Sequence, residues 1–574
     1  MKDLKKTEDS SLVLRHALIN AVEHEGKARV GAVLGRIIAE NPNLRPKISE
    51  LTPEIERTVG VVNSWGQSKQ KLQMKKLKIK IGKGEGEKKE KKEGKRGLPE
   101  LPNAKRGKVV MRIAPYPSGP LHIGNARMVL LNDEYVKRYK GKLLLVFDDT
   151  IGSENKFILP KAYDMIQDGL KWLGVKTKKP IYKSDRLEIF YKYAKLMIEN
   201  KSAYVCTCPT EELRKNRMDG IECGCRKLSA EDNLQRWRKM LDGKYKEGEA
   251  VVRLKTDMKH PDPAFRDRVL LRIADREHPK TKKKYRVWPM LEFSWAIDDH
   301  ELGVTHVLRG KDLVIEDMME SFIWEKMGWK KAEFVHYGLL NIKDIKLSKT
   351  KSRIAIEHGE YSGWDDPRTW SMQSLRRRGI QPEAIRNFIM GLGMSLADIV
   401  VPSEILYAEN RKIVDANANR YFAVLDPVAL SVKSAPKTRT VAAALHPDFP
   451  RHGKRKIPVD HSRIYIERQD FEKLYGRNVG LMNLYTIKME RENGKVQFVS
   501  KEIKFEDSKV QWVSEPNVKI KVVMPGGKEV EAVAEPGIGK EKEGDVVQLV
   551  RIGFCCVGKE GGGGRQTVLY FAHK

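Results

Sequence analysis

Cysteine is scarce and long apolar runs are absent in this chain of 574 residues. Six cysteines are too few for a disulfide framework, and no apolar run approaches the roughly 20 residues of a membrane span. The first residues, MKDLKKTEDSSL, lack the apolar core of a secretory signal peptide. We therefore expect a reduced, cytoplasmic protein without a membrane partner.

Negative charge is also in deficit, with 77 Asp and Glu residues against 109 Lys and Arg residues. The resulting net charge of +32 exceeds what solubility requires and favours a polyanionic partner. Nucleic acid is the first candidate and an acidic membrane surface is the second. A surface that is basic only for solubility is the remaining alternative.

The composition changes along the chain and predicts separate regions. Residues 1–65 carry apolar side chains at helical spacing and predict a small helical domain. Residues 66–107 are rich in Lys and too poor in apolar residues to fold alone, which indicates a basic linker. This linker is either a solvated tether or an arm that contacts phosphates. After residue 400, short alternating runs separated by turn residues predict β-barrels.

The stretch APYPSGPLHIGNARMVLL, residues 114–131, lies between two apolar strand patterns and starts a helix pattern. Strand, helix and strand within about 40 residues predict a βαβ unit with parallel strands. In such sheets ligands bind beyond the carboxyl ends of the strands, at a helix N-terminus. Gly119 permits an unusual turn there, and His122 can donate to a phosphate oxygen. The alternative for His122 alone is a structural residue at a helix start.

The stretch IKLSKTKSR, residues 345–353, is a second candidate for phosphate binding. Lys346 and Lys349 flank Ser348, and ammonium groups can stabilise the charge that develops on a departing pyrophosphate. Taken alone, this stretch could equally be a solvated charge run.

Together and in this order, the two stretches resemble the HIGH-type and KMSKS-type motifs of class I aminoacyl-tRNA synthetases. The segments LVFDDT, YKSDR, AIDDHELGVTHVLRG and GWDDPRTWSMQSLRRRGIQPEAIRNFI resemble the glutamyl and glutaminyl branch of that family. The tail NRKIVDANANRYFAVLDPV is similar to the archaeal and eukaryotic glutamyl type. The resemblance covers nearly the whole chain except the basic linker.

The resemblance implies an α/β fold: a Rossmann-like catalytic domain with an inserted acceptor-binding domain, preceded by the N-terminal helical domain and followed by a C-terminal β-barrel anticodon-binding region. The implied segments after the linker are a first catalytic half at 108–205, an inserted zinc-ribbon and acceptor-stem domain at 206–284, a second catalytic half with the KMSKS-type loop at 285–352, a helical stem-contact domain at 353–405 and the β-barrels at 406–574.

The implied reaction has two steps. ATP, carried with Mg²⁺, activates glutamate as an adenylate, and the glutamyl group then passes to tRNA(Glu), with tRNA(Gln) open as a second acceptor. A glutaminyl-tRNA synthetase is the runner-up, and an idle tRNA-binding protein on the same scaffold is a third alternative. The segment PSG and the archaeal character favour the glutamyl enzyme. A monomer is the default expectation.

The resemblance also implies roles for individual residues. His122, Lys346 and Lys349 are the implied catalytic residues, and Gly119, Gly124, Asn125 and Ser348 join them in binding ATP. Asn125 stands where the family motif usually has a second histidine, and Leu347 and Thr350 replace the usual methionine and serine.

The implied glutamate-binding residues are Arg112, Ala114, Asp148 and Arg309. A guanidinium matches a carboxylate in two hydrogen bonds, which glutamine cannot reproduce with its uncharged amide. Two departures weaken the transfer of this pocket: bacterial relatives tend to have tyrosine where Leu291 stands, and arginine is usual where Val146 stands.

Two further clusters carry predictions. Cys206, Cys208, Cys223 and Cys225 form two C-x-C pairs separated by 14 residues, a pattern that suits a structural, tetrahedral Zn²⁺ site. Four reduced cysteines in a loop are the alternative. The pair Cys555 and Cys556 lies in a predicted strand and indicates core packing.

The basic helix pattern at Arg376, Arg377 and Arg378 predicts contacts with tRNA phosphates and tRNA binding that weakens with salt.

Overall fold

The structure is a computed structural model that describes residues 8–24, 26–41, 48–77, 98–153, 157–490, 495–504, 506–558 and 566–574. The chain divides into two compact units, Met1–Arg96 and Gly97–Lys574. Among the described residues, no helix is long and apolar enough to cross a membrane.

The first unit is helical, as the apolar spacing predicts. Its described helices pack around Ala17, Val33 and Ile55, and they are α1 (Glu8–Glu23), α2 (Val30–Glu40), α3 (Ile48–Asn63) and α4 (Gln67–Lys76). Helix α4 lies inside the segment predicted as a linker. Its Gln70 side chain is buried and donates to the backbone oxygens of Gly26, Val62 and Trp65.

The remainder of the predicted linker falls in two parts. Residues 78–97 lie outside the described residues. Leu98 and Leu101 are buried in the core of the second unit. The ends of the predicted linker are therefore folded, because each end supplies a few apolar side chains to a neighbouring core.

The second unit begins with the predicted βαβ arrangement. Strands β1 and β2 are parallel, with Arg112 opposite Leu144, and β3 continues the sheet beside β2. The elements in chain order are β1 (Val110–Ile113), α5 (Ile123–Arg138), β2 (Lys142–Phe147), α6 (Ala162–Trp172), β3 (Ile181–Tyr182) and α7 (Leu187–Glu199).

A four-stranded antiparallel sheet interrupts the parallel strands. Its order is β4-β5-β6-β7, and the segment contains β4 (Ala203–Cys206), α8 (Thr210–Asp219), α9 (Ala230–Leu241), β5 (Val251–Leu254), β6 (Val269–Ile273) and β7 (Val287–Pro289). This sheet begins before and ends after residues 206–284, the segment predicted as an insertion.

Parallel strands then resume. The elements are α10 (Leu291–Glu301), β8 (His306–Gly310), α11 (Val314–Lys326) and β9 (Glu333–Tyr337). Strand β8 pairs in parallel with β9, and the Thr305 N–H donates to the Val110 carbonyl at 2.9 Å, which joins this pair to β1. The carboxyl ends of the parallel strands β1 and β2 therefore share one edge, and the start of β8 lies beside the start of β1.

A mainly helical segment follows. It contains β10 (Leu340–Ile342), α12 (Lys349–Glu357), α13 (Met372–Arg377), α14 (Pro382–Leu392), β11 (Ile399–Val401) and α15 (Ser403–Val414). Strand β10 pairs with β11 in parallel and leads directly into the second motif.

The C-terminal region is rich in strands, as predicted. They are β12 (Asn419–Tyr421), β13 (Ala423–Leu425), β14 (Pro427–Lys433), β15 (Thr440–Ala444), β16 (Lys454–Pro458), β17 (Ile464–Glu467), β18 (Asn478–Leu481), β19 (Tyr485–Lys488), β20 (Lys495–Ser500), β21 (Ser508–Val510), β22 (Val513–Ser514), β23 (Val518–Val523), β24 (Glu529–Ala534), β25 (Val546–Leu549), β26 (Gly553–Val557) and β27 (Thr567–His573), with helix α16 (Arg468–Lys473) between β17 and β18.

Two seven-stranded sheets account for most of these strands. One has the order β12-β25-β26-β27-β23-β24-β13 and the other has the order β21-β18-β19-β20-β14-β17-β22. In each sheet the two outermost strands are consecutive in the chain, separated by only one or two residues. Both sheets must therefore curl until their edges meet, which makes them barrel-like.

Candidate active site

The first motif forms the turn between β1 and α5. His122 caps the helix: its Nδ1 accepts a hydrogen bond from the Gly124 N–H at 3.1 Å, and its own N–H donates to Asn125 Oδ1 at 3.2 Å. This reciprocal arrangement satisfies two backbone donors at the helix start. The amide at position 125, where the family motif usually has histidine, therefore closes the turn.

Gly119 and Gly124 lie so close to neighbouring side chains that a Cβ atom does not fit at either position. A Cβ atom at Gly124 would lie 3.0 Å from His122 Cε1 and 3.3 Å from Leu347 Cδ1, and one at Gly119 would lie 2.8 Å from the Trp364 ring. Any side chain at either position would displace these neighbours. Leu347 belongs to the second motif, so the Gly124 contact already places the two motifs side by side.

The second motif forms the start of α12. Ser348 Oγ accepts from the Lys351 N–H at 3.3 Å and caps the helix, while Lys349 Nζ donates to the Gly119 carbonyl at 3.3 Å. His122, Ser348 and Lys349 line one small cleft together with Trp364. Lys346 lies exposed on the loop before the helix. Two segments more than 200 residues apart in the chain thus meet at one helix N-terminus.

Burial determines the charge state of this cleft. Burial, together with the nearby Lys349 charge, lowers the pKa of His122 to about 3, so the imidazole is neutral near pH 7. Because Nδ1 accepts a hydrogen bond from Gly124, the proton resides on Nε2. The neutral His122 ring can therefore donate from Nε2 to a phosphate oxygen. Burial also lowers the pKa of Lys349 to about 8.

Two of the predicted glutamate binders contact the same tryptophan. The Arg112 guanidinium lies 4.8 Å from the centre of the Trp295 ring, and the Arg309 guanidinium lies at the same distance. Arg112 donates from Nε and Nη2 to the two carboxylate oxygens of Asp299, at 2.7 and 2.8 Å. Arg309 Nη1 donates to Glu320 at 2.8 Å. Both arginines are buried and already paired.

The third predicted binder, Asp148, directly follows β2 and is buried. Its carboxylate lies 3.1 Å from Lys183 Nζ, and its N–H donates to the Pro115 carbonyl in the first motif. Ala114 is half-buried just after β1. The sequence pattern assigns no role to Lys183, although the segment YKSDR contains it.

The two departures from the family pattern occupy different places. Val146 packs with Val304 and Val307 in a small apolar cluster, whereas Leu291 is the first residue of α10. Val146 therefore has a packing role on β2.

The four cysteines predicted to bind metal converge. Their sulfur atoms all lie within 4.8 Å of one another, with Cys206 Sγ 3.8 Å from Cys223 Sγ and Cys208 Sγ 3.9 Å from Cys225 Sγ. Thiolates at about 2.3 Å from a tetrahedral zinc ion lie about 3.8 Å apart. Arg253 and Arg236 donate to these sulfurs and would offset thiolate charge. The residues present therefore fit zinc. Cys555 is buried in a C-terminal β-sheet, as predicted.

The three consecutive arginines have different surroundings. Arg376 and Arg377 are partly exposed and pair with Asp168 and Asp365 at 3.0 and 2.9 Å. Arg378 is fully buried and donates to the carbonyls of Phe571 and Ala572. The prediction that Arg378 contacts tRNA phosphates is wrong, because its guanidinium links the helical segment to the C-terminal strand and cannot reach a ligand.

Comparison with known proteins gives concordant matches. Residues 108–415 match the family described as class I tRNA synthetases (E and Q), catalytic domain. Residues 418–506 and 505–558 match two anti-codon binding domains of class I tRNA synthetases (E and Q).

Individual relatives match over nearly the whole chain. A glutamate–tRNA ligase of Pyrococcus furiosus is 43% identical over 99% of this chain and 100% of its own. One from Pyrococcus horikoshii is 44% identical over 98% of this chain and 99% of its own. A solved glutamate tRNA ligase from Elizabethkingia meningosepticum, in complex with its amino acid, is 20% identical, covers 54% of this chain and 70% of that one, and has a TM-score of 0.39.

Proposed function

The chain belongs to the class I tRNA synthetases for glutamate and glutamine, and from this premise we propose that it attaches glutamate to tRNA(Glu) through a glutamyl-adenylate. The relatives named glutamate–tRNA ligase support the amino acid. The observation that carries the chemistry is the cleft where His122 and Lys349 meet. The Rossmann-like arrangement of the catalytic region is part of the proposal, supported by the parallel strands and their shared edge.

In the first step, an α-carboxylate oxygen of glutamate attacks the α-phosphorus of MgATP, and the bond to the pyrophosphate oxygen breaks. Little covalent work falls to side chains, so positioning and electrostatic stabilisation dominate. His122 Nε2–H donates to a phosphate oxygen, and the Lys349 ammonium stabilises charge on the departing pyrophosphate. Ser348, Gly119, Gly124 and Asn125 shape the helix start around the nucleotide, and Lys346 approaches from the exposed loop.

In the second step, a ribose hydroxyl of the terminal tRNA adenosine attacks the glutamyl carbonyl and AMP leaves. Arg112, Ala114, Asp148 and Arg309 hold glutamate during both steps, with Asp148 facing the ammonium group. Residues 206–284 bind the acceptor end and residues 406–574 bind the anticodon. Arg376 and Arg377 contact phosphates between these regions. The enzyme works as a monomer.

One aminoacylation experiment tests this function. Purified protein is incubated with ATP and with either glutamate or glutamine, each with tRNA(Glu) or tRNA(Gln). We expect glutamate on tRNA(Glu); glutamate on tRNA(Gln) as well would identify an enzyme that does not discriminate the two tRNAs. Charging with glutamine alone would identify a glutaminyl-tRNA synthetase. Absence of ATP–pyrophosphate exchange with both amino acids, in the presence of tRNA, would support the idle tRNA-binding protein.

The cysteine cluster holds a structural Zn²⁺ ion in this proposal. Bound zinc cross-links β4 to the turn after α8 and so stabilises the insertion. We expect one zinc per chain by mass spectrometry of the metal content, and loss of zinc with a lower melting temperature in Cys206→Ser. Cys555→Ala is the matched control and keeps its zinc. A metal-free wild-type protein would contradict this assignment.

A further inference from the structure

The loop between β6 and β7 contributes a buried histidine that has no assigned role. The ring of His278 has no solvent exposure and stacks on Trp288, with the ring centres 5.0 Å apart. Burial lowers the pKa of His278, so the ring carries a single proton near pH 7. Its Nδ1 accepts a hydrogen bond from the Lys280 N–H at 3.2 Å, which places the proton on Nε2. Nε2 then donates to the Asp149 carbonyl oxygen at 2.8 Å.

The same loop, residues 274–286, also holds the chain beyond Asp149. Arg276 Nη2 donates to the carbonyl oxygens of Ile151 and Ser153 at 2.6 and 2.7 Å. A carbonyl group that is shielded from water and loses its donor costs free energy, because water cannot replace the partner. Two side chains of one loop therefore fix three carbonyl groups of the short segment that follows β2.

The side chain of Asp149 is held as firmly as its carbonyl group. Its carboxylate is fully buried and accepts hydrogen bonds from the Ser184 N–H and hydroxyl at 2.9 and 2.7 Å. It also accepts a hydrogen bond from the Tyr163 hydroxyl at 3.0 Å. With its carboxylate bound by these groups and its carbonyl bound by His278, Asp149 has little freedom to rotate. The residue next to Asp148 is therefore a fixed point of the site.

Asp148 precedes this fixed residue and faces the ammonium group of glutamate in the proposed function. We propose that His278 and Arg276 are positioning residues that hold the Asp148 carboxylate where that ammonium group binds. They act through the backbone of residues 149–153 and not on the substrate itself. This inference rests on the proposed function and deepens it, because both residues belong to the segment predicted as an insertion and not to the parallel strands.

The placement of Asp148 matters because the attraction between a carboxylate and an ammonium group falls with distance. A loosened Asp148 therefore binds glutamate less tightly. The other parts of the substrates meet other residues in the proposed function, with Arg112 at a carboxylate of glutamate and Lys349 at ATP. The loss should therefore be confined to the ammonium group, whereas general distortion of the fold would affect every ligand.

The test removes the histidine donor and keeps an aromatic ring. In His278→Phe the stacking on the neighbouring tryptophan remains, but the hydrogen bond to Asp149 is lost. In ATP–pyrophosphate exchange with tRNA present, we expect KM for glutamate to rise about 10-fold, while KM for ATP and kcat change less than about threefold. His278→Gln keeps a donor within reach of the carbonyl and should recover part of the loss. His260→Phe is the matched control and should leave KM for glutamate unchanged, because the His260 ring contacts Phe265 instead.

A competitive inhibitor isolates the ammonium group. Glutarate is glutamate without the amino group, so it competes for the pocket but forms no pair with Asp148. We expect its inhibition constant in His278→Phe to stay within about twofold of the wild-type value. A rise as large as that of KM for glutamate would show that the whole pocket is distorted, and it would overturn the inference.

Two further outcomes overturn the inference. One is an unchanged KM for glutamate in His278→Phe, and the other is an equal rise in KM for ATP. If the phenylalanine variant misfolds, Arg276→Met is measured in the same way, because the Arg276 side chain is exposed and its loss leaves the core intact. An unchanged KM for glutamate in that variant overturns the inference as well. Wild-type protein that fails to charge glutamate would instead refute the proposed function, which distinguishes the two failures.

Discussion

The residues proposed to bind glutamate and those proposed to bind ATP differ in how their positive charges are paired. Around Trp295, the side chains of Arg112, Arg309 and Lys183 each have a carboxylate within 3.1 Å. In the proposed nucleotide cleft, Lys349 contacts a backbone carbonyl, and it forms no ion pair within the described part of the chain.

This difference fits the ligand proposed for each site. Glutamate carries both signs of charge, so a pocket with balanced internal pairs can exchange partners with it at little net change in buried charge. ATP brings only negative charge, and a cleft without carboxylates leaves the lysine available for phosphate. Burial lowers the pKa of His122 to about 3 and that of Lys349 to about 8, so the histidine is neutral near pH 7 and the lysine carries the positive charge of this cleft.

Breaking the buried ion pair between Arg112 and Asp299 tests whether the cations around Trp295 depend on their carboxylate partners. Asp299→Asn removes the charge partner of the buried Arg112 and leaves the guanidinium uncompensated. We expect the free energy of unfolding to fall by about 3–5 kcal/mol, measured by denaturant titration. Asp365→Asn breaks the partly exposed pair with Arg377 and should cost less than about 1 kcal/mol. Equal losses in the two variants would contradict the distinction between buried and exposed pairs.

Removing the unpaired lysine tests the second half. Lys349→Ala should slow adenylate formation by about 10²–10³-fold, because it removes a charge that acts on the departing pyrophosphate. The stability of the variant should be nearly unchanged, because no carboxylate among the described residues pairs with Lys349. Its tRNA affinity should also be nearly unchanged, because the proposed role of Lys349 is confined to the nucleotide cleft. Lys351→Ala, two residues further along the same helix, is the control. Equal losses in tRNA affinity and in adenylate formation would argue against the assigned role.

The pH dependence of adenylate formation sharpens the comparison further. Since burial lowers the pKa of Lys349 to about 8, the side chain is charged below that pH and loses its proton above it. In wild type, kcat/KM for ATP should therefore decline above about pH 8, approaching tenfold per pH unit. In Lys349→Arg the guanidinium stays charged, so any remaining activity should lose this decline. A wild-type profile that stays flat to about pH 9.5 would exclude Lys349 as the group that titrates.

The sequence was sufficient to predict the parts of the site that depend on local pattern. The βαβ unit, the helix start at His122 and the convergence of four cysteines all follow from apolar spacing and motif. Convergence of His122 with Lys349 was predicted from family resemblance, since no local pattern links segments so far apart.

The sequence did not predict which charged side chains are buried or which groups they contact. Three consecutive arginines look equivalent in the sequence, but successive residues on a helix point about 100° apart. Arg378 therefore faces the core while Arg376 faces solvent. The burial of Lys183 was not predicted for a related reason: a lysine in a short polar segment predicts a surface position, and only the packing of Trp295 and Asp148 around it shows otherwise.

The smallest expected effect is that of replacing the arginines of the two partly exposed ion pairs. Arg376 and Arg377 each form a partly exposed ion pair, worth at most about 1 kcal/mol, so their double replacement by alanine should barely change stability. If both contact phosphates, the tRNA dissociation constant should rise roughly 3- to 10-fold, and the slope of log affinity against log salt should fall by about one for each phosphate that is no longer neutralised. Filter binding at several salt concentrations measures both quantities.

Arg378→Met and Lys195→Ala complete that experiment. Arg378→Met should lower the free energy of unfolding by about 1–3 kcal/mol, because it leaves two buried carbonyl groups without their donor. It should not change the slope of log tRNA affinity against log salt. Lys195 is an exposed cation paired with Glu199 on α7 and should change neither quantity. A salt slope that falls in the Arg378 variant but not in the Arg376 and Arg377 double variant would contradict these assignments, because only a cation that reaches a phosphate releases counterions when it binds.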